Sequence, residues 1–191
     1  MLIFQIFRAL GYTALAMLIL TGCSDPASSG PAVFAKDGFT ITGLENLHFG
    51  QSCESVFETV KNSQFQFSEY QEVPHTRNNT ILTRDAEVPV LGTMYISFQC
   101  SGDDKLSLVQ FTTNGLTNIS RFNAALQTLE GKWGKPDKTF QTQAVTSAGV
   151  MYEPHLVWNS KVGTQYELYG AANPKSYGMH LIIFPAPADA K

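Results

Sequence analysis

Charged side chains are scarce in this chain: Asp, Glu, Lys and Arg make up 15% of its 191 residues. Basic residues are outnumbered, 13 Lys and Arg against 16 Asp and Glu, and they form no stripe. That argues against nucleic acid as a partner, since phosphate backbones are held by clustered basic side chains. It also leaves no polybasic patch for anionic lipid. The histidines His48, His75, His155 and His180 are scattered, with neither H-x-x-x-H nor H-E-x-x-H spacing, so no metal site is expected. No G-x-S-x-G elbow precedes a helix and no glycine-rich phosphate loop is present. Glu54, Glu58, Glu69 and Glu72 lie in ordinary solvated contexts. The expectation is therefore a protein without cofactor and without enzymatic activity. Long apolar runs are missing too: Ala9 to Leu20 is uninterrupted for 12 residues. A spanning helix needs about 20. A signal-peptide h-region has that shorter length.

Immediately after that run stands Leu20-Thr21-Gly22-Cys23, with Arg8 before it and a Ser/Pro/Gly-rich stretch behind. An apolar residue, two small residues and a cysteine resemble the end of a bacterial lipoprotein signal. That resemblance implies removal of residues 1–22 and a lipid (palmitate among its acyl chains) on Cys23. In enterobacterial lipoproteins an aspartate directly after the cysteine marks retention in the inner membrane. Here Ser24 holds that place and the aspartate follows at Asp25. The resemblance thus implies outer-membrane anchoring, facing the periplasm. Residues 1–22 carry one arginine and no acid, so the remaining 169 residues have 12 basic and 16 acidic side chains, a formal charge of −4.

With Cys23 carrying lipid, Cys53 and Cys100 remain as a pair in an oxidising compartment, where a disulfide is the expected state. A loop of that length lowers the entropy of the unfolded chain by the equivalent of about 4 kcal/mol.

Residues 23–38 are rich in Ser, Pro, Ala and Gly and read as a flexible tether with a reach of roughly 20 Å. A single domain is expected over 39–185, followed by a frayed tail at 186–191. Ser52 is a plausible N-cap, and Cys53, Val56, Phe57 and Val60 recur at helical spacing. After Asn62 the period becomes two, and strands are expected near 65–73, 80–84, 93–100 and 106–111. A second helix opens at Asn118-Ile119-Ser120, with Phe122, Ala125, Leu126, Leu129 and Trp133 near one stripe. Gly131, Gly134 and Pro136 stop it. Strands are expected again near 139–145, 156–160, 165–169 and 179–184.

Helix and strands thus alternate twice, which predicts an α+β fold. One antiparallel sheet would carry two helices packed on one face, in a tandem helix-plus-meander repeat over about 46–115 and 116–185. Phe122, Leu126, Leu129, Trp158 and Ile182 are expected in the core. Leu47, Gly50-Gln51-Ser52 and Val56 resemble the opening of small outer-membrane assembly lipoproteins of the SmpA/OmlA, or BamE, type. Trp133-Gly134-Lys135-Pro136, Trp158 and Leu181-Ile182-Ile183-Phe184 resemble their close. The tandem arrangement is similar to the beta-lactamase-inhibitor-protein relatives of that fold. The resemblance covers most of 44–184 and implies a protein that binds proteins.

The expectation for function is a non-enzymatic, lipid-anchored binding module whose partner is an envelope or periplasmic protein. An inhibitor or immunity protein blocking a toxin or cell-wall hydrolase is the alternative, and an envelope hydrolase the second alternative. Tyr152, Tyr166, Tyr169 and Tyr177 gather in the second half near hairpin ends. They read either as sheet packing or as a binding face, because tyrosine gives a large rigid contact at low entropic cost.

Overall fold

The structure, a computed structural model, describes residues 30–63, 67–73, 78–113, 119–146, 149–170 and 178–187. Residues 1–29, among them the expected signal segment and Cys23, together with His75, Tyr177 and residues 188–191 lie outside the described residues.

The first helix, α1, spans Cys53–Lys61. Ser52 caps it, its hydroxyl accepting from the Ser55 amide at 3.3 Å. Glu54 in the first turn and Lys61 in the last complement the helix dipole. Its buried side is Cys53, Val56 and Val60, three and seven residues apart. The second helix, α2, spans Ile119–Trp133 and buries Phe122, Ala125 and Leu129. Gly131 lies inside it. Gly134, at φ +80, is what ends it, adopting the left-handed turn that a side chain would strain.

Eight strands form one antiparallel sheet: β1 (Phe67–Val73), β2 (Asn78–Val88), β3 (Gly92–Cys100), β4 (Leu106–Thr113), β5 (Lys138–Thr146), β6 (Gly149–Asn159), β7 (Thr164–Gly170) and β8 (Met179–Pro185). The spatial order is β1-β2-β3-β4-β8-β7-β6-β5. Four strands thus follow each helix, and the two meanders join where β4 meets β8. Pro154 lies within β6, opposite Gln141, so that strand begins earlier than the sequence suggests.

Register explains the core. Phe98, Val109, Ile183, Tyr166 and Trp158 are successive partners across five strands. Ile96, Phe111, Leu181, Leu168 and Leu156 form the adjacent row. All ten are buried. Because strand side chains alternate, they share one side of the sheet. Ile182 falls between two of them and stands on the opposite, partly exposed side, against the sequence expectation. Leu126 is half-buried, packed at the margin of the core. Cys53 and Cys100 sit at disulfide distance, with Cα atoms 6.2 Å apart. The pair ties α1 to β3.

Packing begins earlier than the expected tether boundary at 38. Val33 is fully buried, as are Phe39, Leu44 and Leu47. Phe39 meets Phe111, Trp133 and Tyr166 edge-on, at 5.7, 5.6 and 6.4 Å between ring centroids. Ala32 and His48 bridge, and the Phe49 amide donates to the Pro31 carbonyl at 3.0 Å. Gly30 permits this closeness: a Cβ there would lie 2.0 Å from the Phe49 carbonyl oxygen. The apolar Val33-Phe34 pair, set among small residues, is what turns this stretch inward. Among the described residues, no helix is long and apolar enough to cross a membrane.

Candidate functional site

The side of the sheet away from the core carries an ordered row of rings. Phe140 on β5, His155 on β6, Tyr169 on β7 and His180 on β8 are direct partners in register, and Thr112 on β4 continues the row. Adjacent strands lie about 4.7–4.9 Å apart. Rings standing upright on neighbouring strands therefore stack. Centroid separations are 4.7, 4.9 and 4.7 Å, with interplanar angles of 11°, 12° and 15°. The Lys138 ammonium lies 5.1 Å from the Phe140 centroid and closes the outer end.

His155 is the most enclosed member, only 9% exposed. Its Nδ1 lies 2.5 Å from Glu167 Oε1, and its Nε2 lies 2.8 Å from Thr142 Oγ1. A carboxylate oxygen accepts, so Nδ1 is assigned as the donor to Glu167 and Nε2 as the acceptor of the Thr142 hydroxyl hydrogen. That tautomer is assigned from the network. Thr142, His155 and Glu167 form a hydroxyl–imidazole–carboxylate relay across β5, β6 and β7. It has the connectivity that activates a hydroxyl nucleophile.

At the other end, His180 Nδ1 is 3.2 Å from Thr112 Oγ1 and 3.3 Å from Gln110 Nε2. Burial holds its pKa below the ordinary imidazole value, opposed by the Glu153 charge. Burial raises that of Tyr169, reinforced by Glu167 and then Glu153. Both effects keep these rings neutral near pH 7, the state in which they stack without repulsion.

Beyond the ladder the same side is mostly uncharged. Gln99 donates to Gln110 at 3.4 Å and Gln165 to Asn159 at 2.8 Å. Ile182 and Phe184 stand between these amides, half-buried.

The four tyrosines separate. Tyr152 is 52% exposed on the part of β6 that pairs with β5 alone, beyond the end of β7. Tyr169 belongs to the ladder. Tyr166 is a correction: it is fully buried and belongs to no surface. Its position is even where Tyr169 is odd, so the two point to opposite sides of β7. Desolvation pushes its pKa up to about 12, against the lowering effect of hydrogen bonds from the Ala35 and Lys36 amides.

The sequence expectation placed the histidines apart and gave Glu167 no role; Glu54 and Glu58 are exposed, as expected. The fold instead sets His155 and His180 on either side of Tyr169, and Glu167 against His155. The available signal was parity, since residues 155, 167 and 169 share it within their strands. Their alignment depends on inter-strand register, which parity does not give. Among the described residues, no three His, Cys, Asp or Glu side chains are grouped to hold a metal. Comparison with protein-family models, with curated proteins and with solved structures finds no match to the chain.

Proposed function

We propose that this chain is a non-enzymatic protein-binding module of the bacterial cell envelope, anchored through lipid on Cys23 at the outer membrane and facing the periplasm. The observation that carries this reading is the side of the sheet opposite the core. It is broad, poor in charge and built of rings and amides already fixed by their neighbours. A surface fixed before contact loses little side-chain entropy on binding, and aromatic residues are favoured as anchors.

The reading includes a tandem repeat, helix plus four-stranded meander, with both helices on the core side. The symmetric sheet order supports the repeat. The Cys53–Cys100 pair and the Trp133–Trp158 contact at 5.6 Å support the helix placement. Kinship with the BamE-type or beta-lactamase-inhibitor-type lipoproteins is part of the same proposal. The partner is an envelope protein; the inhibitor or immunity role differs in requiring tight affinity.

Capture experiments with the full-length protein from detergent-solubilised envelopes test the reading. The wild type should retain a defined protein, and Tyr169→Ala with Ile182→Ala should weaken retention by a factor of about 5–30, the loss of one hot spot. Equal retention by the variant removes the proposed face.

One observation favours the hydrolase reading instead: the Thr142–His155–Glu167 relay. A fluorophosphonate probe separates the two. Labelling of the wild type that is lost in Thr142→Val supports a nucleophile; no labelling supports the binding role.

A further inference from the structure

The two edges of the sheet differ. At one, β1 pairs with β2 through a register shift between Ser68 and Gln71. At the other, β5 pairs with β6 over nine consecutive residues without a shift. Bulges, prolines and repeated charges are the devices that keep edge strands from recruiting another strand. β5 has no proline and a single charge, Lys138 at its first position. Lys138, Thr139, Gln141, Thr142 and Gln143 are exposed. Among the described residues no strand pairs with the outer edge of β5.

We propose that β5 pairs antiparallel with β5 of a second copy of this chain, about a two-fold axis at Thr142, to join two eight-stranded sheets into one. The register follows from the sequence of the strand. Centring on Thr142 is the one two-fold alignment that engages all nine residues of each copy. It sets Thr142 against Thr142, Gln141 against Gln143, and Phe140 against Ala144. These are a threonine pair, a pair of amides that both donate and accept, and a large residue beside a small one. The threonine pair is among the cross-strand combinations that stabilise sheets. Lys138 falls opposite Thr146, so no like charges meet.

The axis stands perpendicular to the sheet, because a two-fold that reverses strand direction within one sheet keeps each face on its own side. The segments from Pro31 to Phe49, packed on the core face of each copy, therefore emerge on the same side. A second copy is thus compatible with two tethers reaching a single bilayer, whether or not Cys23 is acylated. The ring ladders also approach one another, since Phe140 is their outermost ring.

Sedimentation of the full-length protein in detergent tests the pairing across micromolar concentrations. The wild type should be dimeric. Gln141→Lys combined with Gln143→Lys opposes like charges twice across the axis and should weaken association by more than about tenfold. At concentrations low enough for both proteins to be monomeric its melting temperature should be unchanged, since both side chains are exposed. A second variant tests the register: Thr142→Cys should give a disulfide-linked dimer on non-reducing gels from intact cells, and Val162→Cys, equally exposed in the β6–β7 turn, should not. A wild type that stays monomeric overturns the proposal, as it would if the edge receives a strand from a different protein. A dimer insensitive to the lysines, or one without the Thr142→Cys cross-link, overturns it equally.

Discussion

The Tyr166 hydroxyl donates to the Val33 carbonyl at 2.8 Å, across 133 residues of chain. The same oxygen accepts from the Ala35 and Lys36 amides at 2.6 and 3.1 Å. One phenol thus satisfies three backbone groups of the segment that lies over the sheet. Tyr166→Phe removes all three bonds with little change of volume and should destabilise the fold by about 1–3 kcal/mol. Tyr166→Ala adds a cavity and should cost about 3–5 kcal/mol. Urea unfolding measures both, and a loss in the phenylalanine variant below about 0.5 kcal/mol would show that the clamp is not used.

Alkaline pH acts on the same group. In the unfolded chain Tyr166 ionises near its ordinary value of 10.0, and in the fold near about 12. Between those values the unfolded state sheds a proton that the fold keeps. Stability is therefore fully present below pH 10 and falls as pH rises towards 12, with a slope of at most about 1.4 kcal/mol per pH unit from this residue. Tyr166→Phe should flatten the fall. Denaturation curves between pH 9 and 12 check it, and equal slopes in the two proteins would refute the assignment.

His155 and Glu167 should behave as a unit. Removing the carboxylate with Glu167→Ala strands the Nδ1–H of a nearly enclosed ring, a loss of about 1–3 kcal/mol. In a His155→Phe background, which keeps the stack, the same change should matter much less. The double-mutant cycle should give a coupling of about 0.5–3 kcal/mol. Nitrogen NMR should report the Nδ1–H tautomer for His155 at pH 8. An Nε2–H tautomer would mean that Thr142 is not the donor.

Acid acts through His180. Its folded pKa lies below the ordinary value because burial disfavours the charged ring. Above pH about 6.5 the ring is neutral in both states and contributes no slope. As pH falls below that value the unfolded chain takes up the proton first, so stability declines until the folded pKa is passed. His180→Gln should remove this part of the acid slope. Thermal melts between pH 4.5 and 7.5 decide, and an undiminished slope in the variant would place its origin elsewhere.

Much of the architecture is written locally. The Ser52 cap and the spacing of Cys53, Val56 and Val60 are enough to start α1, and period two in Met94, Ile96, Phe98 and Cys100 is enough for β3. Pro154 conceals the first half of β6, because a proline reads as a break although a strand paired at its outer side tolerates it. The stretch around Val33 reads as tether because two apolar residues among Pro, Ala and Gly show no period. Parity alone separates Tyr166 from Tyr169, three positions apart on one strand. The ladder is of another kind. Phe140, His155, Tyr169 and His180 meet only because four strands align in register, and no local spacing encodes that.

The position of β8 bears on the order in which the chain is made. Its neighbours are β4, from the first meander, and β7, from the second. The strand that joins the two halves at the centre of the sheet is thus the last of the eight in chain order. Without Met179–Pro185 the remaining pairings fall into one four-stranded and one three-stranded piece. Joining them depends on the sequence-distant pairing of β4 with β8, a contact of the kind that forms slowly.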